Sequence, residues 1–490
     1  MDLDDTPQLT LLADWRWFVP LGLIAWALLL ATVPRTRNGL ALTLLSVLTH
    51  VATYAPRVHM HDLTAYQHIL DAYGLSSPDL LYGEGRAALL TWPLWLMRWP
   101  MDGVHWIDAL LATLVVPQLY AVMRSLYDER TAVFAAALYA LAPLPLALAP
   151  TETAFVPLVT MEVLAVHGLV RGGRLGDAML VIGAGLVTHL RPLEGLVGVG
   201  FVLAAMAMGR WRGAAGVAAF VAWRLYNWAF LAPDGGGLQL AAFWQTYDSI
   251  LLEFVGRAGR AMVFDPSRTP AALALLAVAA VVVDRRRRAT WGIAALCAFS
   301  TLAYVNQGFL ADRIRYQLPA QVWLCALAGV TLAALWERRA LAAAAIVALT
   351  VSWGFALTPY PPFPWQVEYA TLRTALQTLP PGTKVAFDDG ADNHNHQRVW
   401  AHLFRGVELV PLSQATPDVR WRWVGLADHL HGVQAPRPDP VVSATILPMV
   451  LPIDPVNNTM WGCAPCSDAP IQIGLFHRDE SAPQMGETPP

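Results

Sequence analysis

Ala271-Ala-Leu-Ala-Leu-Leu-Ala-Val-Ala-Ala-Val-Val-Val283, followed at once by Asp284-Arg-Arg-Arg-Arg288, decides how this chain is read. An uncharged run ends on four consecutive arginines, and a second apolar run begins at 290. Arginine is retained on the cytoplasmic side of a membrane, so this pattern marks a bilayer crossing and its inner turn. The alternation recurs over residues 1–357. Apolar stretches that cross a bilayer, or nearly so, run over 18–33, 40–54, 104–124, 131–149, 154–170, 177–190, 193–209, 213–231, 270–283, 290–305, 318–335 and 340–357. They predict a polytopic α-helical membrane protein of about twelve spans. Several are shorter than the roughly 20 residues that a membrane-normal helix needs. The pair 177–190 and 193–209 also fits two half-spanning helices that meet inside the protein.

Composition agrees. Of 490 residues, 56% are hydrophobic and only 14% charged, against about a quarter charged in soluble domains. The basic residues gather at Arg35-Thr-Arg37, Arg124 with Arg130, Arg171-Gly-Gly-Arg174, Arg210-Trp-Arg212, Asp284–Arg288 and Glu337-Arg-Arg339. These fall at every second connection, which predicts that all six are cytoplasmic. The acidic start Met1–Asp5, a large first loop at 55–100, and the segments 150–153, 233–268 and 307–317 are then expected outside. The first span lacks a basic n-region and a small-residue cleavage site, so it reads as a retained helix.

At Pro359-Tyr-Pro-Pro-Phe-Pro364 the chain changes character. Residues 358–490 are more polar and predict a small extracytoplasmic α/β domain: a helix over Val367–Leu379, and strands at Lys384–Asp388, Gly406–Leu412 and Trp421–Leu426. A tail from about 476, with Pro, Glu and Ser, reads as disordered. Cys297 and Cys325 lie within spans as small apolar residues. Cys463-Ala-Pro-Cys466 lies outside, where a local disulfide is the simplest reading. A redox pair, or a zinc site completed by His394 and His396, is the alternative. Asn457-Asn-Thr459 matches a glycosylation acceptor, meaningful only in a host that glycosylates exported proteins.

The first outer loop carries His59, His61, Asp62, Tyr66, Asp71, Asp79, Glu84 and Arg86. Its stretch Ala87–Trp99, rich in Trp and Leu, predicts a helix lying in the membrane interface. Asp62 stands a few residues beyond a span, near enough to a lipid head group to accept a hydroxyl proton as general base. An N-cap for the helix starting at Leu63 accounts for it equally well. Glu152 is a second carboxylate at an outer span end. Thr188-His-Leu-Arg-Pro192 places His189 and Arg191 at the outer end of a short span, and Glu194 follows as a local ion partner. Arg313 and Arg315 stand outside, against the topological bias, so an anion is expected to balance them. A lipid phosphate suits guanidinium forks, with pairing to Asp312 or head groups as the alternative.

The order of Asp62 and Tyr66, the Tyr82-Gly-Glu-Gly85 turn, Glu152, Thr188-His-Leu-Arg-Pro192 and Arg315-Tyr-Gln-Leu-Pro319 resembles the GT-C glycosyltransferases. The nearest branch is that of protein mannosyltransferases and aminoarabinose transferases. The resemblance spans roughly residues 40–357 and lies in order and membrane placement more than in any single motif. It implies an inverting membrane glycosyltransferase of the cell envelope, expected in the bacterial inner membrane. Such an enzyme moves a sugar from a polyprenyl-phosphate carrier to an acceptor glycan, lipid or protein on the outer face.

In that scheme Asp62 is the base, with His61 and Glu152 as further catalytic candidates. Arg191, Arg313, Arg315 and Tyr316 bind the donor phosphate, and His59, Tyr66, Glu84 and His189 contact substrate. Many family members carry an acidic doublet in the first loop, whereas here His61 precedes Asp62 and Leu63 follows. A divalent metal is therefore not expected to be obligatory, though the chemistry leaves room for one. Family members also usually enter that loop after their first helix, whereas here an extra span precedes it. Membrane lipids are expected partners and nucleic acid is not. A lipid or solute transporter (flippase) is the alternative class, although the two halves show no convincing repeat. An oligosaccharide ligase is another.

Overall fold

The computed structural model describes residues 18–54, 85–86, 88–90, 93, 102–150, 154–190, 194–226, 271–304, 318–336, 338–356, 364–387, 407–425, 440–446 and 471–478. They fall into two compact units, a helical one within 7–360 and a smaller one from Pro361 onward.

The helical unit contains α1 (Phe18–Ala31), α2 (Arg37–Ala52), α3 (Asp102–Leu126), α4 (Glu129–Leu141), α5 (Pro143–Leu148), α6 (Phe155–Arg171) and α7 (Gly173–Thr188). It continues with α8 (Glu194–Ala207), α9 (Trp211–Tyr226), α10 (Ala271–Val283), α11 (Arg288–Tyr304), α12 (Leu318–Leu335) and α13 (Arg339–Ala356). Local chemistry sets several ends. Thr36 caps α2 by accepting from the Gly39 amide, and Asp128 caps α4 by accepting from Thr131. Gly172 and Gly173, at φ 71° and 67°, turn the chain between α6 and α7 through the left-handed region.

Among the described residues, two helices are long and apolar enough to cross a membrane: Gly103–Leu126 of α3, and α12. Shorter apolar helices cover Pro20–Ala31, Gly195–Ala207, Ala272–Val283 and Arg339–Leu349. The expected span 131–149 is two helices. Pro143 forces Ala142 into extended geometry (φ −66°, ψ 130°), ending α4 and starting α5.

Close helix contacts hold this unit together. A Cβ on Gly183 of α7 would lie 2.7 Å from the Ala165 nitrogen and the Met161 carbonyl of α6, so only glycine lets these backbones approach. Thr160 of α6 donates to the Leu111 carbonyl of α3 at 3.1 Å. Pro117, inside α3, has no N–H for the Thr113 carbonyl. Ser46 of α2 supplies a hydroxyl to that carbonyl instead, at 3.2 Å. On α12, Thr331 donates to the Leu276 carbonyl of α10 at 2.7 Å.

The smaller unit has helix α14 (Pro364–Gln377) and strands β1 (Thr383–Phe387), β2 (Val407–Pro411), β3 (Trp421–Val424), β4 (Val442–Ile446) and β5 (Ile471–His477). They form one mixed sheet in the order β2-β1-β3-β5-β4. β1 is parallel to β2 and β3, and β5 is antiparallel to β3 and β4. α14 packs on β4 and β5, and its buried Glu368 accepts from the Trp423 indole at 3.0 Å. The helix and first three strands match the expectation to within a few residues; β4 and β5 are additional. β5 runs to His477 with Phe476 buried, so its end overlaps the stretch read as a tail.

Candidate functional site

Several buried ionisable residues stand at helix ends away from the arginine-rich connections. His50 near the end of α2, Arg86, His105 and Asp108 at the start of α3, His189 after α7 and Arg224 near the end of α9 are each at most 5% exposed. Burying so many ionisable groups is costly unless they are paired or used.

Two contacts organise this layer. Arg86 Nη2 pairs with Asp108 Oδ2 at 2.7 Å, both side chains fully buried. The neighbouring Gly85 amide donates to the His189 carbonyl at 2.9 Å. A Cβ at position 85 would sit 2.7 Å from the Leu186 carbonyl oxygen and 2.9 Å from that of His189, so glycine is required for this approach. His189 caps α7, and its Nε2 lies 3.2 Å from the Phe220 carbonyl of α9. A carbonyl can only accept, so Nε2 carries the proton. The Phe220 ring meets the imidazole edge-on at 5.9 Å, and Arg224, one turn further along α9, is within electrostatic reach of it.

Among the expected site residues, His189 is described and stands in this layer. Asp62, His61, Glu152, Arg191, Arg313, Arg315, Tyr316, His59, Tyr66, Glu84 and the pair Cys463 and Cys466 lie outside the described residues. The Gly85–His189 bond nevertheless joins two motifs 104 positions apart, since Glu84 directly precedes Gly85 and Arg191 follows His189 by two residues. The Ala87–Trp99 stretch differs from expectation where it is described. It is helical at 88–90, but those residues are fully buried among other helices rather than laid on a lipid surface.

Sequence reasoning passed over Asp108, Arg224 and Glu162 as site residues. Each is an ionisable residue inside an apolar span, and that is itself a readable signal. Glu162 of α6 is 3% exposed and accepts from the Trp323 indole of α12 at 2.9 Å. Among the described residues, no group of three or more His, Cys, Asp or Glu converges to hold a metal ion.

No family model matches the sequence, and no curated protein does. Solved structures that are similar in chain course include the Archaeoglobus fulgidus oligosaccharyltransferase tethered with an acceptor peptide, at 12% identity over 80% of this chain and 70% of that one, with a TM-score of 0.48. The archaeal oligosaccharyltransferase AglB, in complex with an inhibitory peptide and a dolichol-phosphate, gives 14% identity over 75% and 64%, with a TM-score of 0.44. A complex of the A. fulgidus enzyme with Zn and sulfate gives 12% over 80% and 68%, with a TM-score of 0.48. With every one of these TM-scores below 0.5, the functional reading rests on this chain's own residues.

Proposed function

We propose that this chain is a multi-pass membrane glycosyltransferase that moves a sugar from a polyprenyl-phosphate donor to an acceptor on the outer face. The observation that carries the reading is the Gly85–His189 bond, which joins the last residue of the sequence motif Tyr82-Gly-Glu-Gly85 to the second residue of Thr188-His-Leu-Arg-Pro192. The same family resemblance assigns substrate contacts to the first motif and substrate and phosphate contacts to the second.

Topology has its own support. Asn38 bonds Glu129 at 2.9 Å, Tyr127 bonds Thr290 at 2.8 Å, and Arg210 reaches Asp177 and the Leu169 carbonyl. These bonds staple arginine-rich connections to one another, as expected of turns sharing one membrane face. Exposed apolar residues such as Leu203, Leu275, Val278 and Val282 suit a lipid-facing surface. The sheet unit is then extracytoplasmic, and the bacterial inner membrane is the proposed location.

The chemistry follows the flow of charge. An acceptor hydroxyl oxygen attacks the anomeric carbon, the bond from that carbon to the phosphate oxygen breaks, and the phosphate leaves with the electron pair. Asp62 takes the hydroxyl proton. Arg191, Arg313, Arg315 and Tyr316 neutralise the departing phosphate, which needs no acid to leave. One carboxylate suffices, because the proton is lost late.

The test is transfer from a synthetic polyprenyl-phosphate sugar by reconstituted protein. Asp62→Asn should insert and fold normally yet lose about 10²–10⁴-fold in rate. Wild-type activity in that variant would return Asp62 to a helix-cap role. Movement of lipid or solute without glycosidic bond cleavage would replace the reading with a transporter, and use only of an oligosaccharide diphosphate donor would replace it with a ligase.

A further inference from the structure

The short segment 85–90 is gripped from three sides. Arg86 is paired with Asp108 of α3, and the Gly85 amide is bonded to the end of α7. The third grip is α1. Trp26 donates its indole N–H to the Leu89 carbonyl at 3.0 Å, in a buried contact between residues 63 positions apart. One turn away, Gly22 faces the Ala88 carbonyl so closely that any Cβ there would collide with it. Ala88, Leu89 and Leu90 are fully buried, and α1 also packs on α7, the helix that carries His189 at its end.

A helix needs neither a glycine under a neighbouring carbonyl nor an indole aimed at one merely to cross a bilayer. Both features point at the backbone of one outside segment. The residue four places on from Leu89 is Pro93, which has no N–H to give, so the Trp26 indole supplies the donor that the Leu89 carbonyl lacks within its own segment and ties that carbonyl to α1.

We propose that α1 is a positioning element for the first outer loop, with Trp26 and Gly22 holding segment 85–90 at a set depth against the end of α7. Trp26 is a positioning residue: it acts through the segment, which holds Gly85 on the His189 carbonyl. This deepens the glycosyltransferase reading and, for its kinetic consequence, rests on it.

The experiment uses full-length protein in vesicles, with Cys463 and Cys466 replaced by serine and an Ala88→Cys substitution, at a fully buried position, as reporter. A membrane-impermeant maleimide is added from outside. Trp26→Phe keeps the ring and removes the N–H. It should speed labelling at least tenfold and, in the protein without the reporter, raise KM for the polyprenyl-phosphate sugar at least fivefold with kcat within twofold. Labelling within twofold of the parent would overturn the proposal. So would a lowered melting temperature with KM unchanged, because that is what a purely structural tryptophan gives.

Gly22→Ala is the second variant, pressing on the Ala88 carbonyl while leaving the indole in place, and the same acceleration is expected if Trp26→Phe does not insert. If the parent transfers no sugar, the proposed function fails. The labelling rates then still decide whether α1 holds the segment.

Discussion

The two ends of the helical unit treat charge in opposite ways. At the arginine-rich end, Arg124 pairs with Glu129 at 2.8 Å with side chains 48% and 40% exposed, and Arg287 lies over the Tyr127 ring. At the other end, Arg86 and Asp108 pair with no exposure at all. Pairs in water are inexpensive and contribute little. A pair stripped of water must be held by geometry, and breaking it leaves a stranded charge. The first arrangement joins neighbouring connections to one another. The second is expensive and stands where two candidate substrate motifs meet.

Asp108→Ala puts most strain on that contrast. It leaves the Arg86 guanidinium buried without its carboxylate, at a cost of about 3–5 kcal/mol, and is expected to cut the yield of folded protein sharply in detergent. If the loss matched that of an exposed pair, the layer would be wetter than described. Trp323→Phe sits between the extremes. It deprives the buried Glu162 of its indole donor, for about 1–3 kcal/mol, read as a lower melting temperature.

Arg124→Ala at the exposed end should cost about 0.2–1 kcal/mol, near the limit of a melting measurement. A loss as large as that of Asp108→Ala would erase the distinction between the two ends.

The smallest expected effect is one of pH. The Glu129 carboxyl is held below the ordinary carboxylate range, first by the Tyr120 hydroxyl and then by the Asn38 amide and Arg124. A depressed pKa means stability that is present above the unfolded value and lost as pH falls through the folded one. The gap in melting temperature between wild type and Glu129→Gln should therefore be constant near neutrality and close on acidification below the carboxylate range. A gap that opened on acidification would reverse the sign of this contribution.

Much of the helical unit was legible because two strong signals coincide: apolar runs mark helices, and arginine clusters mark breaks between them. Val283 followed by Asp284–Arg288 is where α10 stops and α11 begins. The break after α4 was written in Pro143 but hidden by the apolar character around it, since hydropathy does not register backbone geometry. β4 and β5 were missed because short strands are stabilised by partners far along the chain: Ile446 faces Ile471 across 25 residues. His189 was legible as a polar residue at a span end. Arg86 was legible only as one more charge of the first outer loop, and Asp108 and Arg224 were passed over, because nothing local tells which partner a buried ionisable residue meets.

By itself, the sequence determined the composition of the helices, the sign of charge at alternate turns and the presence of carboxylates and arginines beside the spans. Those properties follow from transfer free energies, which belong to each segment alone. Only the tertiary structure decided that Gly85 meets His189, that Arg86 meets Asp108 and that the Trp26 indole of the first helix meets the Leu89 carbonyl. Such contacts depend on close approach of backbones distant in the chain, and so on the packing of the whole unit.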